Sequence, residues 1–178
     1  MKKVLRITAL LMICCLNYGI SQEAAVKKVA KKVKWYTWEE AVEANKTEKK
    51  KFIIDIYTDW CGWCKVMDKK TFSKKQVATY INENFYPVKL NAEQRESIMF
   101  QNKELKYHST GRRGVHELAY SLLNGKMSYP SIVYLNADFE RILISPGFKK
   151  PKEMIKELSF VVEEKYKEMT WQDYQNGK

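Results

Sequence analysis

Two cysteines three residues apart, in Trp60-Cys61-Gly62-Trp63-Cys64-Lys65, follow closely on the apolar run Phe52-Ile53-Ile54-Asp55-Ile56-Tyr57. That spacing lets two thiols close into a disulfide and open again. The apolar run reads as a strand and the cysteines as the start of a helix. The unpaired N–H groups and positive dipole end of a helix favour a thiolate there. Cys61, at the helix start and the more exposed of the two, is expected to be the nucleophile. Cys64, one turn deeper, is expected to attack a mixed disulfide and release the partner.

Asp55 interrupts the apolar strand. A carboxylate among apolar side chains is costly unless paired, and desolvation raises its pKa, so it could take the proton of Cys64 during resolution, directly or through a water. The plainer alternative is a strand-end aspartate facing solvent. A zinc half-site is the competing use of the cysteines, but it needs two further ligands. Only His108 and His116 are available, and neither has ligand-like spacing to the pair. Haem attachment would need a histidine where Lys65 stands. No metal and no cofactor is expected.

The chain has 178 residues, 45% hydrophobic and 13% aromatic, enough to bury one core, and a formal net charge of +11. Residues 1–21 read as a secretory signal, with Lys2, Lys3 and Arg6 before the apolar stretch from Ile7 to Leu16. Gly19 and Ser21 are small residues placed for a cut before Gln22. Cleavage would remove three cations and no acids, taking the charge from +11 to +8. An uncleaved signal would instead anchor the chain. Cys14 and Cys15 leave with the signal, so the exported chain keeps Cys61 and Cys64 alone. A single close pair does not make a disulfide-stapled scaffold, and a structural bridge more often closes a long loop.

The lysine-rich residues 22–34 read as a linker, with a membrane-surface role as the alternative. The elements that must position the dithiol begin near Trp35. Thr37 and Glu40 form a capping box for a helix over Trp38–Asn45. Strands are expected at Lys51–Tyr57 and Phe85–Asn91, the latter at an edge or bulge because of Pro87. Helices are expected at Cys61–Thr71 and Lys74–Asn82, the second opened by a Ser73/Gln76 capping box. Within residues 92–113, Ile98–Phe100 and Leu105–Tyr107 are expected to pair as a hairpin. A helix over Val115–Leu123 should end at Asn124-Gly125. The strands Ser131–Leu135 and Arg141–Ser145 then form a hairpin. A last helix starts at Pro151, with Ile155, Leu158, Val162 and Tyr166 at helical spacing. Residues 35–170 form the domain and 171–178 a tail.

The strand, the Cys-Gly-Trp-Cys centre, the helix after it and Tyr129-Pro130 before a hairpin together resemble the thioredoxin superfamily, specifically its exported members with this centre. The resemblance covers Trp35 to Met169. It implies an α/β thioredoxin fold, a central mixed β-sheet flanked by helices, with residues 92–113 inserted before a cis-proline at Pro130. It implies for Asp55 the proton-accepting role of the family's buried acid, and for Lys89 that of the lysine beside it; a plain surface lysine is the alternative. In the family the cis-proline lies against the dithiol, and the residue before it, here Tyr129, offers backbone groups to an extended substrate. Pro130 could otherwise be a trans turn proline.

Two departures stand out: Tyr129 replaces the usual threonine, and Trp63 replaces the proline between the cysteines. Trp60, Trp63 and Tyr129 would frame the sulfurs with aromatic surface suited to polypeptides, unless Trp60 is core. The implied function is a thiol–disulfide oxidoreductase outside the cytoplasm, leaning to reductase or isomerase. Its partners would be cysteine-bearing proteins and an unidentified upstream redox partner. The alternative is a non-enzymatic binding module or a thiol-based metal carrier. A monomer is expected. An exported chain with scattered lysines argues against nucleic acid, and its basic surface favours acidic partners or contact with anionic membrane.

Overall fold

The computed structural model describes residues 32–109, 111 and 113–177. The expected signal segment lies outside the described residues, as does all of the expected linker except residues 32–34. Among the described residues no helix is long and apolar enough to cross a membrane.

Helix α1, Trp38–Thr47, begins at the expected box: Thr37 Oγ1 accepts from Glu40 N–H, and Glu40 accepts from Thr37 N–H. Strand β1, Lys51–Tyr57, is buried at all five central positions, Asp55 included. Helix α2, Gly62–Met67, passes into a wider turn over Asp68–Phe72, where Ser73 N–H reaches Asp68 C=O. Ser73 does not cap the following helix as its capping box predicts. Its hydroxyl donates back to Lys69 C=O, and α3, Lys75–Asn84, starts after Lys74 without a side-chain cap. Strand β2, Phe85–Asn91, lies at the sheet edge, as Pro87 implies. Tyr36 covers that edge, donating to Pro87 C=O and accepting from Lys89 N–H.

The segment before the proline holds two small hairpins. Strands β3, Ile98–Phe100, and β4, Lys103–Leu105, pair around Gln101 and Asn102, both at positive φ. The shorter turn ends this pairing at Leu105. Tyr107 is therefore not part of it, and belongs to β5, Tyr107–Ser109, which pairs with β6, Gly114–His116. Val115 and His116 thus lie in a strand, and helix α4 is confined to Glu117–Leu122, with Asn124 and Gly125 at positive φ after it. Strands β7, Ser131–Leu135, and β8, Arg141–Pro146, complete the core. The sheet order is β2-β1-β7-β8, with β1 and β2 parallel and the other pairs antiparallel.

Helix α5, Pro151–Val162, opens with proline in its first turn, as expected. Glu164 turns left-handed after it, so Tyr166 falls outside the helix and still packs on Phe160. Residues beyond 170 form a further helix, α6, Trp171–Asn176, whose two aromatics face the Phe160 ring. Alternation along β1 separates the two layers. Phe52, Ile54 and Ile56 face α1, the small hairpins and α4. Ile53 faces Met67, α3 and α5, and Asp55 points to that same side.

Candidate active site

Cys61 caps α2: its Sγ accepts from Cys64 N–H at 3.1 Å and is bonded to Cys64 Sγ as a disulfide. The cap forms because Cys61 N–H is held by Thr58 C=O, which turns the chain out of β1. Both sulfurs are covered, with Cys61 5% and Cys64 2% exposed. The expected order survives, but Cys61 is far less open than a helix-start position suggests.

Pro130 follows a cis peptide bond from Tyr129. Ser131 pairs with Ile56 of β1, so Tyr129-Pro130 sits at the end of the sheet where β1 leads to the dithiol. There the Tyr129 ring meets Trp60 edge-on, with centroids 5.8 Å apart. Trp60 is 50% exposed and Trp63 62%. Trp60 is therefore rim and not core, which settles the alternative left open by the sequence. Trp63 leans on Phe148 from the loop before α5. Burial, then the charge of Glu93, pushes the Tyr129 hydroxyl up to about 12, so it stays a neutral donor.

Asp55 is fully buried and salt-bridged, not solvent-facing: Lys89 Nζ donates to its Oδ2 at 2.6 Å. Burial pushes the carboxyl up to about 6 against the pull of Lys89, with Asp68 adding a smaller upward push. Oδ1 has no hydrogen-bond partner among the described residues. It is an open acceptor in a buried place. Lys89 also donates to Asp68 Oδ1, and its ammonium lies 5.0 Å from the Trp35 and Tyr57 ring centres. Burial pulls Lys89 down, but the attraction of the two carboxylates outweighs it and leaves the amine above its ordinary value. Asp68 lies one helical turn beyond Cys64, and its N–H donates to Cys64 C=O. Residues four apart share a helix face. Asp55, Lys89 and Asp68 thus form a charged chain beneath the helix that carries Cys64.

Asp68, Glu93, Arg113 and Phe148 were not legible as site residues. Glu93 accepts from Trp60 Nε1–H at 3.0 Å, and the Arg113 guanidinium lies 4.2 Å over the Trp60 ring. Only Asp68 carried a signal, its helical spacing from Cys64. His116 is buried, with Nδ1 accepting from Leu118 N–H, and caps α4. His108 bonds Glu117 at the surface. Among the described residues no three of His, Cys, Asp and Glu converge as a metal site.

Solved structures share the fold. One described as DsbH Oxidoreductase aligns over 76% of this chain and 88% of its own at TM-score 0.54 and 14% identity. A putative disulphide-isomerase from Bacteroides thetaiotaomicron aligns over 75% of this chain and 96% of its own at TM-score 0.54 and 23% identity. Spermatogenesis-associated protein 20 of Rattus norvegicus is 31% identical over 67 residues, 37% of this chain and 8% of that protein. Uncharacterized protein B0495.5 of Caenorhabditis elegans matches at the same identity over 9% of its length. The chain thus spans under a tenth of these curated relatives. The model of the family Thioredox_DsbH, described as a protein of unknown function, DUF255, matches residues 21–175, and this thioredoxin-fold chain belongs to that family.

Proposed function

We propose that the protein is a thiol–disulfide oxidoreductase acting on protein dithiols and disulfides outside the cytoplasm. The observation that carries this reading is a closed Cys61–Cys64 disulfide at a helix start, with cis Tyr129-Pro130 at the same sheet end and a buried acid, Asp55, on the strand leading into it.

In the reducing direction, the Cys61 thiolate attacks a partner disulfide, forming one S–S bond to the partner and expelling the partner's other sulfur as thiolate. Cys64 then loses its proton to Asp55 Oδ1 and attacks Cys61 Sγ. The mixed disulfide breaks, the partner leaves fully reduced, and two electrons have passed from the dithiol to the partner. The upstream redox partner restores the dithiol by the reverse exchange. Trp60, Trp63, Tyr129 and Pro130 form the surface against which an extended partner segment lies. The reductase or isomerase direction is supported by the absence of an ionisable side chain between the cysteines, since Gly62 and Trp63 offer the thiolate no charge. Export is supported by the basic and apolar start of the chain, whose removal would leave Cys61 and Cys64 as its cysteines.

Thiol trapping after titration with a dithiol redox buffer tests the reading. The expected result is a reversible two-electron couple, with Cys64→Ser accumulating mixed disulfides through Cys61. A pair that cannot be cycled between the two states ends the proposal. A potential near the oxidising limit of such proteins, about −120 mV, would reverse the assigned direction.

A further inference from the structure

The two exposed tryptophans beside the dithiol stand in different electrostatic surroundings. At Trp60 charges of both signs meet, the Glu93 carboxylate on its indole N–H and the Arg113 guanidinium over its ring. At Trp63 the balance is lost. From Lys65 to Lys75 the chain carries five lysines and one acid, Asp68. The lysines are all exposed, and none of them makes an ion pair among the described residues. Asp68 is already bonded to Lys89, in the charged chain beneath α2.

The fold sets these lysines against the rim of the site. Phe148 meets the Trp63 ring with centroids 5.6 Å apart, and the C=O of the next residue, Lys149, accepts from the Thr71 hydroxyl. Phe148-Lys149 thus bridges Trp63 to the wide turn that carries Lys69 and Lys70. The Lys149 ammonium itself turns back onto the carbonyls of Pro146 and Gly147. Beyond it Lys150 and Lys152 are exposed, beside an acid, Glu153, that accepts from Lys150 N–H. The dithiol therefore has mixed charge on its Trp60 side and an excess of positive charge on its Trp63 side.

Resting on the oxidoreductase reading, we infer that the Trp63 side is a docking surface for an acidic segment of a protein partner. Its carboxylates lie on Lys69, Lys70 and the lysines around them, and its cysteine reaches Cys61. An aromatic pair beside unpaired ammonium groups fits a polypeptide with acidic residues near its cysteine. An anionic membrane is the weaker fit, because what must reach Cys61 is a sulfur carried on a chain. Exposed charges of this kind act on the rate of encounter.

The test uses the reduced full chain and synthetic peptides whose single cysteine is a pyridyl disulfide, flanked by glutamates or by lysines. The Cys61 thiolate attacks the peptide sulfur, the bond to the pyridyl sulfur breaks, and pyridinethione leaves and is followed by its absorbance. Each rate is divided by that peptide's rate with dithiothreitol, which removes differences in intrinsic reactivity. The acidic peptide should react about tenfold faster at low salt. Salt at about 1 M, which screens charges beyond about 3 Å, should close the gap. Lys69→Glu with Lys70→Glu should reverse the preference, a result that a misfolded variant does not give, and Lys69→Gln with Lys70→Gln should fall between. Lys46→Glu with Lys49→Glu makes the same change of net charge at the end of α1 and should keep the preference. A chain that reacts with both peptides alike overturns the inference alone, as does a preference that the Lys46 and Lys49 changes remove equally. Reaction with neither peptide overturns the oxidoreductase reading along with it. Binding to phosphatidylglycerol vesicles through Lys69 and Lys70, without a peptide preference, would assign the face to a membrane and overturn it too.

Discussion

Asp55 and Glu157 are both buried on the side of the sheet that packs α3 and α5, and burial raises both carboxyls above their ordinary values, yet their surroundings differ. Glu157 is satisfied at each oxygen: Ser145 donates to Oε1 at 2.6 Å and Tyr134 to Oε2 at 3.2 Å, with Lys149 at 3.9 Å. Asp55 has Lys89 on one oxygen and no partner among the described residues on the other. A fully bonded acid ties β7, β8 and α5 together. One left with an open lone pair, on the strand that enters the dithiol, is suited to receive a proton. Burial alone does not distinguish the two, whereas the unfilled acceptor does.

The largest effect should fall on the exchange chemistry. Asp55→Asn is expected to slow release of a partner from Cys61 by about 10²-fold, the scale of a lost general base. It should also remove an inflection near pH 6 from the rate. Glu157→Gln should leave the rate within about twofold, since it keeps the shape and touches no reacting atom. Stopped-flow decay of a preformed mixed disulfide measures both. Equal losses in the two variants would erase the distinction.

Stability should follow next, and with a definite sign. Because the Asp55 carboxyl rises from 3.8 to about 6 on folding, the folded oxidised protein binds protons more tightly than the unfolded chain. Its contribution is most favourable below about pH 4 and is lost as pH rises through about 6. Asp55→Asn should therefore stabilise the oxidised protein at pH 7, by up to about 3 kcal/mol, and change it little at pH 4. Urea unfolding at the two pH values gives the answer, and destabilisation at pH 7 would mean that the Lys89 pair contributes more than its burial costs. Glu157→Ala should go the other way, losing about 1–3 kcal/mol as the Ser145 and Tyr134 hydroxyls lose their acceptor.

The contrast between these acids marks how far the sequence could be read. Asp55 was legible because a carboxylate in a run of isoleucines has few explanations, and the dithiol six residues later supplies one. The main sheet was legible for a similar reason: β1 and β7 are dense in β-branched and aromatic residues, and their boundaries fall where expected. Glu157 sits in an ordinary amphipathic helix, and its burial depends on Ser145 and Tyr134 arriving from two other strands. No local pattern encodes that. The same holds for Glu93 and Arg113, brought to Trp60 by loops. Ser73 had the right cap spacing, but the widened turn after α2 gave its hydroxyl a nearer carbonyl at Lys69.

The smallest effect should come from Asp68, which touches neither sulfur and acts through Lys89. Its charge opposes ionisation of Asp55 directly, and it also shares the ammonium that would otherwise attend Asp55 alone. Removing that charge in Asp68→Asn relieves both, so the Asp55 carboxyl should titrate lower. The inflection in partner release should move down from about 6 by less than about one pH unit, with the plateau rate nearly unchanged. Lys89→Met should move the inflection up, because the attraction that holds Asp55 below a fully desolvated carboxyl is gone. Opposite displacements would place the open oxygen of Asp55 under control of the surface-facing end of the chain. Displacements of the same sign would mean that Asp68 holds the helix in place and tunes nothing.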